Sequence, residues 1–259
     1  MIDIGINLTN ARFDKDRAEV IAAAQQAGVT AMIVTGTSLQ ESQQAAQLAA
    51  QYPDYLYATA GVHPHDAKSV DQDTWPALRE LWALPQVKAV GECGLDYNRD
   101  FSPRPIQDKV FAAQLEQAVE LQLPVFLHER DASARFIEIL KPYRDQLPAA
   151  VLHCFTGTQE ELHAYLDLDL HIGITGWICD ERRGLHLHDA VKVIPDNRLM
   201  IETDSPYLVP RSLRPKPKSS RNLPQYLPHI AQTIADIKGQ PLAELIANTA
   251  RTSRAFFAL

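Results

Sequence analysis

The sequence predicts an α/β fold in which eight parallel strands close into a (β/α)8 TIM barrel, with residues 1–259 forming one domain. Strand-like and helix-like segments alternate from end to end. Four chelating side chains stand where short apolar runs stop, and a length of 259 residues with 46% hydrophobic side chains suits one barrel around one large core.

Each β/α unit can be read in order. Ile2–Ile6 is a strand, and the helical pattern of Asp14–Ala27 that follows it ends at Gly28, a residue suited to the left-handed position after a helix. Thr30–Thr35 precedes a helix over Ser38–Gln51, and Tyr55–Val62 precedes one over Val70–Leu84. The fourth unit pairs Val87–Gly91 with Pro105–Leu121, and the fifth pairs Val125–His128 with Ala132–Tyr143. Ala150–His153 leads to Thr158–Asp167, where Thr156-Gly157-Thr158 has the character of an N-terminal cap. Leu170–Thr175 with Arg183–Val193, then Leu199–Thr203 with a helical region from Leu223 onward, complete the eight. No interdomain linker interrupts them. The one irregular stretch, Val209–Asn222 (VPRSLRPKPKSSRN), carries Arg211, Arg214, Lys216, Lys218 and Arg221. Following strand eight, it should lie over the face where strands end, and a solvated connector is an equally good reading.

Composition excludes several classes. The formal net charge of −7 argues against nonspecific coating of nucleic acid, which needs many cations on phosphates, but leaves room for a nuclease with local positive potential. Cys93, Cys154 and Cys179 form no CxxC pair and leave an odd thiol, which disfavours a disulfide framework or a cysteine zinc site and suits a reducing cytoplasm. MIDIGINL enters an apolar strand without a basic leader, and no segment approaches a membrane span, so a soluble cytoplasmic protein is expected.

The chelating residues carry the functional signal. VKAVGE, LPVFLH, AAVLH and RLMIETD are apolar up to Glu92, His128, His153 and Asp204. In a parallel barrel all strand ends open on one face, so these four should converge. One histidine at a strand end means little, but two imidazoles and two carboxylates together suit Mg²⁺, Mn²⁺ or Zn²⁺.

GVHPH (Gly61–His65), GECGLDY (Gly91–Tyr97), HERDA (His128–Ala132), LHCFTG (Leu152–Gly157), GITG (Gly173–Gly176), ETDSPYL (Glu202–Leu208) and RNLPQYLPHI (Arg221–Ile230) occur in this order. Together they resemble the successive motifs of the TatD family of metal-dependent deoxyribonucleases, (β/α)8 barrels of the amidohydrolase superfamily. The resemblance implies that Glu92, His128 and His153 are metal ligands, and that Asp204 is a further ligand and the general base. It implies substrate contacts for His63 and, on a weaker match, His65, and suggests phosphate binding for Arg130, whose guanidinium offers bidentate geometry. The alternative for Arg130 is a surface ion pair. Tyr97, Phe155, Trp177 and Tyr207 are placed at the barrel mouth, where they could stack unpaired bases or simply pack loops.

The implied activity is 3′-to-5′ exonuclease cleavage of single-stranded DNA or RNA by a monomer, with Mg²⁺ as the expected cofactor and Mn²⁺ or Zn²⁺ as alternatives. A second reading keeps the metal but assigns an ester or amide hydrolase, including one acting on charged transfer RNA. Glu92, standing where some relatives carry a carbamylated lysine, disfavours the phosphotriesterase-type version of it. A third is a non-enzymatic factor of twin-arginine export, which would have no need for converging ligands.

The chain departs from the family pattern in two places. The family's H-x-H pair on strand one is replaced by Gly5 and Asn7, which predicts one firmly held ion at Glu92, His128 and His153 and at most a weak second one through Glu92 and Asp204. Leu223 replaces a common glutamate. His186 and His188 also spell H-x-H, but lie two apart on a helical segment, pointing about 200° apart and towards solvent. His163, His171 and His229 are expected to be structural, and Cys93 and Cys154 to point away from the ligands beside them.

Overall fold

In a computed structural model describing residues 1–259, eight strands form one parallel sheet in sequential order. They are β1 (Ile2–Ile6), β2 (Ala31–Val34), β3 (Leu56–Ala60), β4 (Val87–Asp96), β5 (Val125–Arg130), β6 (Ala150–Leu152), β7 (His171–Ile174) and β8 (Leu199–Ile201). The ends of the sheet meet through an Ile6–Ser205 bridge, with Asn7 N–H donating to Ser205 O at 2.8 Å and Asp204 N–H to Gly5 O at 2.9 Å. The expected barrel is therefore observed.

The surrounding helices are α1 (Arg17–Gln26), α2 (Leu39–Ala50), α3 (Thr74–Trp82), α4 (Arg104–Leu121), α5 (Ser133–Arg144), α6 (Gln159–Asp167), α7 (His186–Val193), α8 (Leu227–Lys238) and α9 (Leu242–Phe257). Their ends follow local chemistry. Ser38 accepts from Glu41 N–H at the start of α2, and Thr158 with Glu161 forms a reciprocal capping box at α6. Gly28 adopts φ +84° just beyond α1, as its position predicts.

Strand alternation divides the core into two layers. Ile4, Ile33, Phe126, Val151 and Met200 point into the barrel, where Phe256 and Phe257 of α9 join them. Met32, Val34, Leu127, Leu152 and Ile201 point outward beneath the helices. This parity positions the chemistry: counting two residues on from Phe126, Val151 and Met200 reaches His128, His153 and Glu202. On β4 the register shifts between Val90 and Cys93, which returns Glu92 to the inside and sends Cys93 into the outer core.

Several boundaries differ from the sequence reading. β4 continues to Asp96 because it stays paired with β5 as far as Arg130, so Glu92 sits within a strand rather than at its end. α1 begins at Arg17 after a short 3-10 turn over Ala11–Phe13, and α7 begins at His186 rather than Arg183. The last helical region is two helices, because Gly239 at φ +68° closes α8 and Pro241 caps α9. No helix is long and apolar enough to cross a membrane.

Candidate active site

Side chains from the C-terminal ends of the strands meet in a polar cleft of about 620 Å³. At its floor a single oxygen, Oε1 of Glu92, faces three imidazoles: His153 Nε2 at 2.7 Å, His128 Nδ1 at 3.0 Å and His63 Nε2 at 3.3 Å. Asp204 also lines the cleft, with its Oδ1 accepting from Asn7 Nδ2 at 2.9 Å. Glu92, His128, His153 and Asp204 are thus brought together from β4, β5, β6 and the segment after β8.

His63, Glu92 and His128 place one donor atom each within 4.8 Å of one another. Ligands around an ion at about 2.1 Å lie no more than about 4.2 Å apart, so small rotamer adjustments would enclose a cation. His128 Nε2 is buried without a hydrogen-bond partner, 3.7 Å from Asp96 Oδ2, while Nδ1 faces Glu92. The residues therefore fit a divalent ion, and hydrogen bonding ranks the histidines. His63 Nδ1 accepts from the His65 backbone N–H at 3.1 Å, so neutral His63 carries its proton on Nε2 and is a donor. His153 differs. Its Nδ1 lies 3.3 Å from Glu202 Oε2 and its Nε2 2.7 Å from Glu92 Oε1, so without an ion both nitrogens donate to carboxylates, and an ion at Glu92 would take the place of the Nε2 proton while Glu202 retains the one on Nδ1.

Electrostatics follow this arrangement. Burial pushes the His63 imidazole down to about 4, only partly opposed by Glu92, so the ring is neutral at pH 7. Burial also works against charge on His153, but Glu92 and Glu202 together outweigh it and hold the imidazole well above its usual range. Burial opposes ionisation of Glu92 as well, yet His153 and His63 with the surrounding hydrogen bonds keep its carboxyl well below the usual range. Asp204 is pushed up to about 7 by burial, reinforced by Glu202 and Glu92 and partly offset by His153.

Two acidic residues that sequence reasoning did not single out complete the site. Asp96, near-fully buried at the end of β4, bonds His65 Nε2 at 2.6 Å and stands 3.7 Å from His128 Nε2. Its signal was present in GECGLDY but depended on β4 running five residues longer than predicted. Glu202 is fully buried and its Oε1 accepts the Cys154 N–H. Inward-facing Met200 two residues earlier was the signal that could have found it.

Glu202 also packs against the glycine on strand one. A Cβ on Gly5 would lie 2.2 Å from Glu202 Oε2, and one on Gly173 would lie 2.6 Å from Oε1. The carboxylate occupies the space that a side chain at position 5 would need, while Asn7 contributes an amide to Asp204.

The remaining expected residues are placed as follows. Arg130 ends β5, is exposed, lines the cleft and makes no ion pair. His65 lines the cleft beside Phe101, with ring centroids 4.7 Å apart. Tyr207 and Trp177 lie on the rim, and Tyr207 OH accepts from Asn10 Nδ2 at 3.2 Å. Phe155 instead packs in the core, and Tyr97 turns away to bond Asp108 beneath the Arg104 guanidinium, because the chain bends after each strand. Cys154 does not point away as expected: it lines the cleft. β6 stops at Leu152 and Cys154 adopts φ +48°, so strand alternation no longer applies. His186 is exposed, His188 is half-buried, and each is held by a backbone carbonyl, at 3.0 Å from Thr156 O and 3.2 Å from Ile178 O.

A parallel barrel with imidazole and carboxylate donors gathered at its C-terminal mouth defines a metal-dependent hydrolase class of site. Comparison with known proteins narrows it. The family model described as TatD related DNase matches residues 2–258, and the chain belongs to that family. It is 55% identical over 257 residues to the 3′-5′ ssDNA/RNA exonuclease TatD of Dickeya dadantii, covering 99% of this chain and 97% of that one. Against the protein of the same name from Escherichia coli K12 the identity is 52% over 259 residues, covering 100% and 99%. The crystal structure of YjjV, a TatD homolog from Escherichia coli K12, superimposes with a TM-score of 0.91 at 25% identity, covering 100% of this chain and 98% of that one.

Proposed function

We propose that this protein is a divalent-cation-dependent phosphodiesterase that removes nucleotides stepwise from the 3′ end of single-stranded DNA or RNA. The observation that carries this reading is the meeting of His63, His128 and His153 at one oxygen of Glu92, inside a cleft whose rim bears Arg99 and Arg130 without carboxylate partners. The activity named for the relatives supports it.

Glu92, His128 and His153 would hold the ion, with Asp204 beside them. When bound, the cation supplies Lewis acidity, polarising a phosphate oxygen and making water easier to deprotonate. We take it to be Mg²⁺, which keeps several waters and completes its shell with substrate phosphate, and Mn²⁺ should substitute because it accepts imidazole readily.

The chain's own residues perform the other steps. Asp204 accepts the proton of the attacking water as a new P–O bond forms and the P–O bond to the neighbouring nucleotide breaks, the bonding pair staying on that nucleotide's 3′ oxygen, which takes a proton from solvent water. Neutral His63 donates its Nε2–H to a phosphate oxygen, a role its tautomer suits better than metal ligation. Arg130 offsets negative charge growing on the phosphate, an electrostatic contribution that strengthens as water is displaced. Asp96 fixes His65 against the cleft wall, and the Trp177 and Tyr207 rings on the rim offer faces for unstacked bases. We take the working form to be a cytoplasmic monomer; the three free thiols suit a reducing compartment.

The test is a single strand labelled at its 5′ end and incubated with Mg²⁺ or with EDTA. A metal-dependent ladder shortening one nucleotide at a time is expected from the wild type and from no Glu92→Ala preparation whose circular dichroism is unchanged. An intact strand in both Mg²⁺ and Mn²⁺, or full cleavage by Glu92→Ala, overturns the reading.

A further inference from the structure

We propose that the basic segment Val209–Asn222 is the binding track for the phosphodiester backbone of a single strand on the 5′ side of the cleaved bond. This rests on the exonuclease reading above. The argument begins with continuity. The catalytic cleft shares Trp177, Arg183 and Leu208 with a neighbouring hollow of about 200 Å³. That hollow shares Val209 and Arg211 with a third, of about 400 Å³, along which Arg214, Lys216 and Lys218 are ranged. The three join end to end, from the ligand cluster across the loop after β7 and onto the segment after β8. A strand whose 3′ end sits in the cleft must leave it with its 5′ portion, and this is a groove by which to leave.

The segment's charge suits phosphate, although Asp180 and Glu181 also line the hollows and face Arg211. The segment contains no acidic residue although the whole chain carries −7. Its cations divide into two groups. Arg221 is committed to the fold, with its guanidinium bidentate on Asp16 at 2.6 and 2.7 Å and over the Phe13 ring. Arg211 stands 3.6 Å from Asp180. Arg214, Lys216 and Lys218 have no carboxylate partner, and Arg214 uses its Nη1 only on the backbone carbonyls of Arg211 and Leu213. Surface cations without partners, aligned along a groove leading from a phosphodiesterase cleft, are the elements of an electrostatic funnel for a single strand.

The segment is also held in shape. Pro210, Pro215 and Pro217 restrict its backbone, and Asn222 Nδ2 ties it back through Thr203 O at 2.8 Å and Leu208 O at 3.3 Å. Ser212 Oγ is 2.7 Å from His229 Nε2 of α8. A loop ordered before binding loses little entropy when it binds. At the junction with the cleft, the Arg183 guanidinium lies 5.3 Å from the centroid of the Trp177 ring, which places an aromatic face and a cation together where the strand turns out.

The experiment compares hydrolysis of a trinucleotide with that of a strand of about a dozen nucleotides as salt is varied. The subject is the Arg214→Gln/Lys216→Gln/Lys218→Gln variant in the full-length protein with Mg²⁺. Three lost phosphate contacts should lower the slope of log KM against log salt by about 2 and raise KM for the long strand on the order of tenfold to a hundredfold near 0.1 M salt. The kcat values and the trinucleotide KM should stay near wild type, since a trinucleotide is too short to reach the track. A control variant, Lys88→Gln/Arg251→Gln/Arg254→Gln, removes the same charge from the opposite end of the barrel and should behave as wild type. An unchanged long-strand KM and salt slope, or an equal loss in the control, overturns the track while leaving the exonuclease reading intact. Wild-type protein that degrades neither substrate overturns that reading, and the track with it.

Discussion

Replacing Glu202 with glutamine keeps every heavy atom in place and removes one charge, yet it should disable His153 as a ligand. Glu202 accepts from two donors, the Cys154 backbone N–H at Oε1 and His153 Nδ1 at Oε2, 3.3 Å away. An amide has one acceptor oxygen. The backbone donor cannot change, so the glutamine oxygen goes to Cys154 and its NH2 faces His153. The imidazole must then accept at Nδ1, which places its proton on Nε2, the nitrogen that faces Glu92. If the pair is not rearranged, one buried donor is left opposed to another, at about 1–3 kcal/mol. Removing a carboxylate that orients a ligating histidine typically weakens metal binding by about 10- to 100-fold. Titration calorimetry with Mn²⁺ on the metal-free protein should therefore show a loss of that order for Glu202→Gln, with the folded far-ultraviolet spectrum retained. Gly5→Ala should act in the same direction by crowding, because its new Cβ would lie 2.2 Å from Oε2. Overpacking of this kind costs about 1–3 kcal/mol of stability, visible in thermal unfolding. A Glu202→Gln protein that binds Mn²⁺ within about twofold of wild type would refute the tautomer argument, since the expected effect is several times larger.

Three further outcomes are expected. Asp3 is fully buried and its carboxyl is pushed up to about 8 by burial, despite hydrogen bonds from Thr203, so between about pH 4 and pH 8 the folded state binds a proton that the unfolded chain has released. Its contribution is fully present below pH 4 and lost as pH rises towards 8, so Asp3→Asn should stabilise the protein at pH 8 and have little effect near pH 4. Equal melting shifts at both pH values would contradict this. Burial, reinforced by Asp204 and Glu202, raises the Cys154 thiol well above its usual range, so iodoacetamide at pH 7.5 should modify it far more slowly than a free thiol although it lines the cleft. Mass mapping of alkylated peptides checks this, and rapid labelling of Cys154 would count against it. Arg130→Lys should raise KM more than it lowers stability, because lysine keeps the charge but loses the two-pronged grip on phosphate; steady-state kinetics and a melting curve on the same preparation separate the two.

Much of the architecture was legible because its signals are local. Apolar runs of four to six residues separated by amphipathic stretches can satisfy their backbones in few ways, and caps such as Gly28 and Thr158 mark boundaries by chemistry confined to one turn. What local reading misjudged was where a strand stops. β4 gains its last residues from pairing with β5, a non-local event, and with them comes Asp96. The orientation of Cys154 was misread for a related reason: alternation was extended past the end of β6 into a residue with positive φ.

The sequence by itself determined that a parallel barrel would form and that Glu92, His128, His153 and Asp204 would arrive in one cleft, because parallel strands share a direction and residues towards their C-terminal ends converge. It could not determine how those residues are held. The closure of β8 onto β1 buries the Glu202 carboxylate against Gly5 and Gly173, where it reaches His153, and brings Asn7 to Asp204. Those contacts join residues separated by 29 to 197 positions in the chain. Their geometry depends on packing around the whole barrel, which no local pattern of residues encodes.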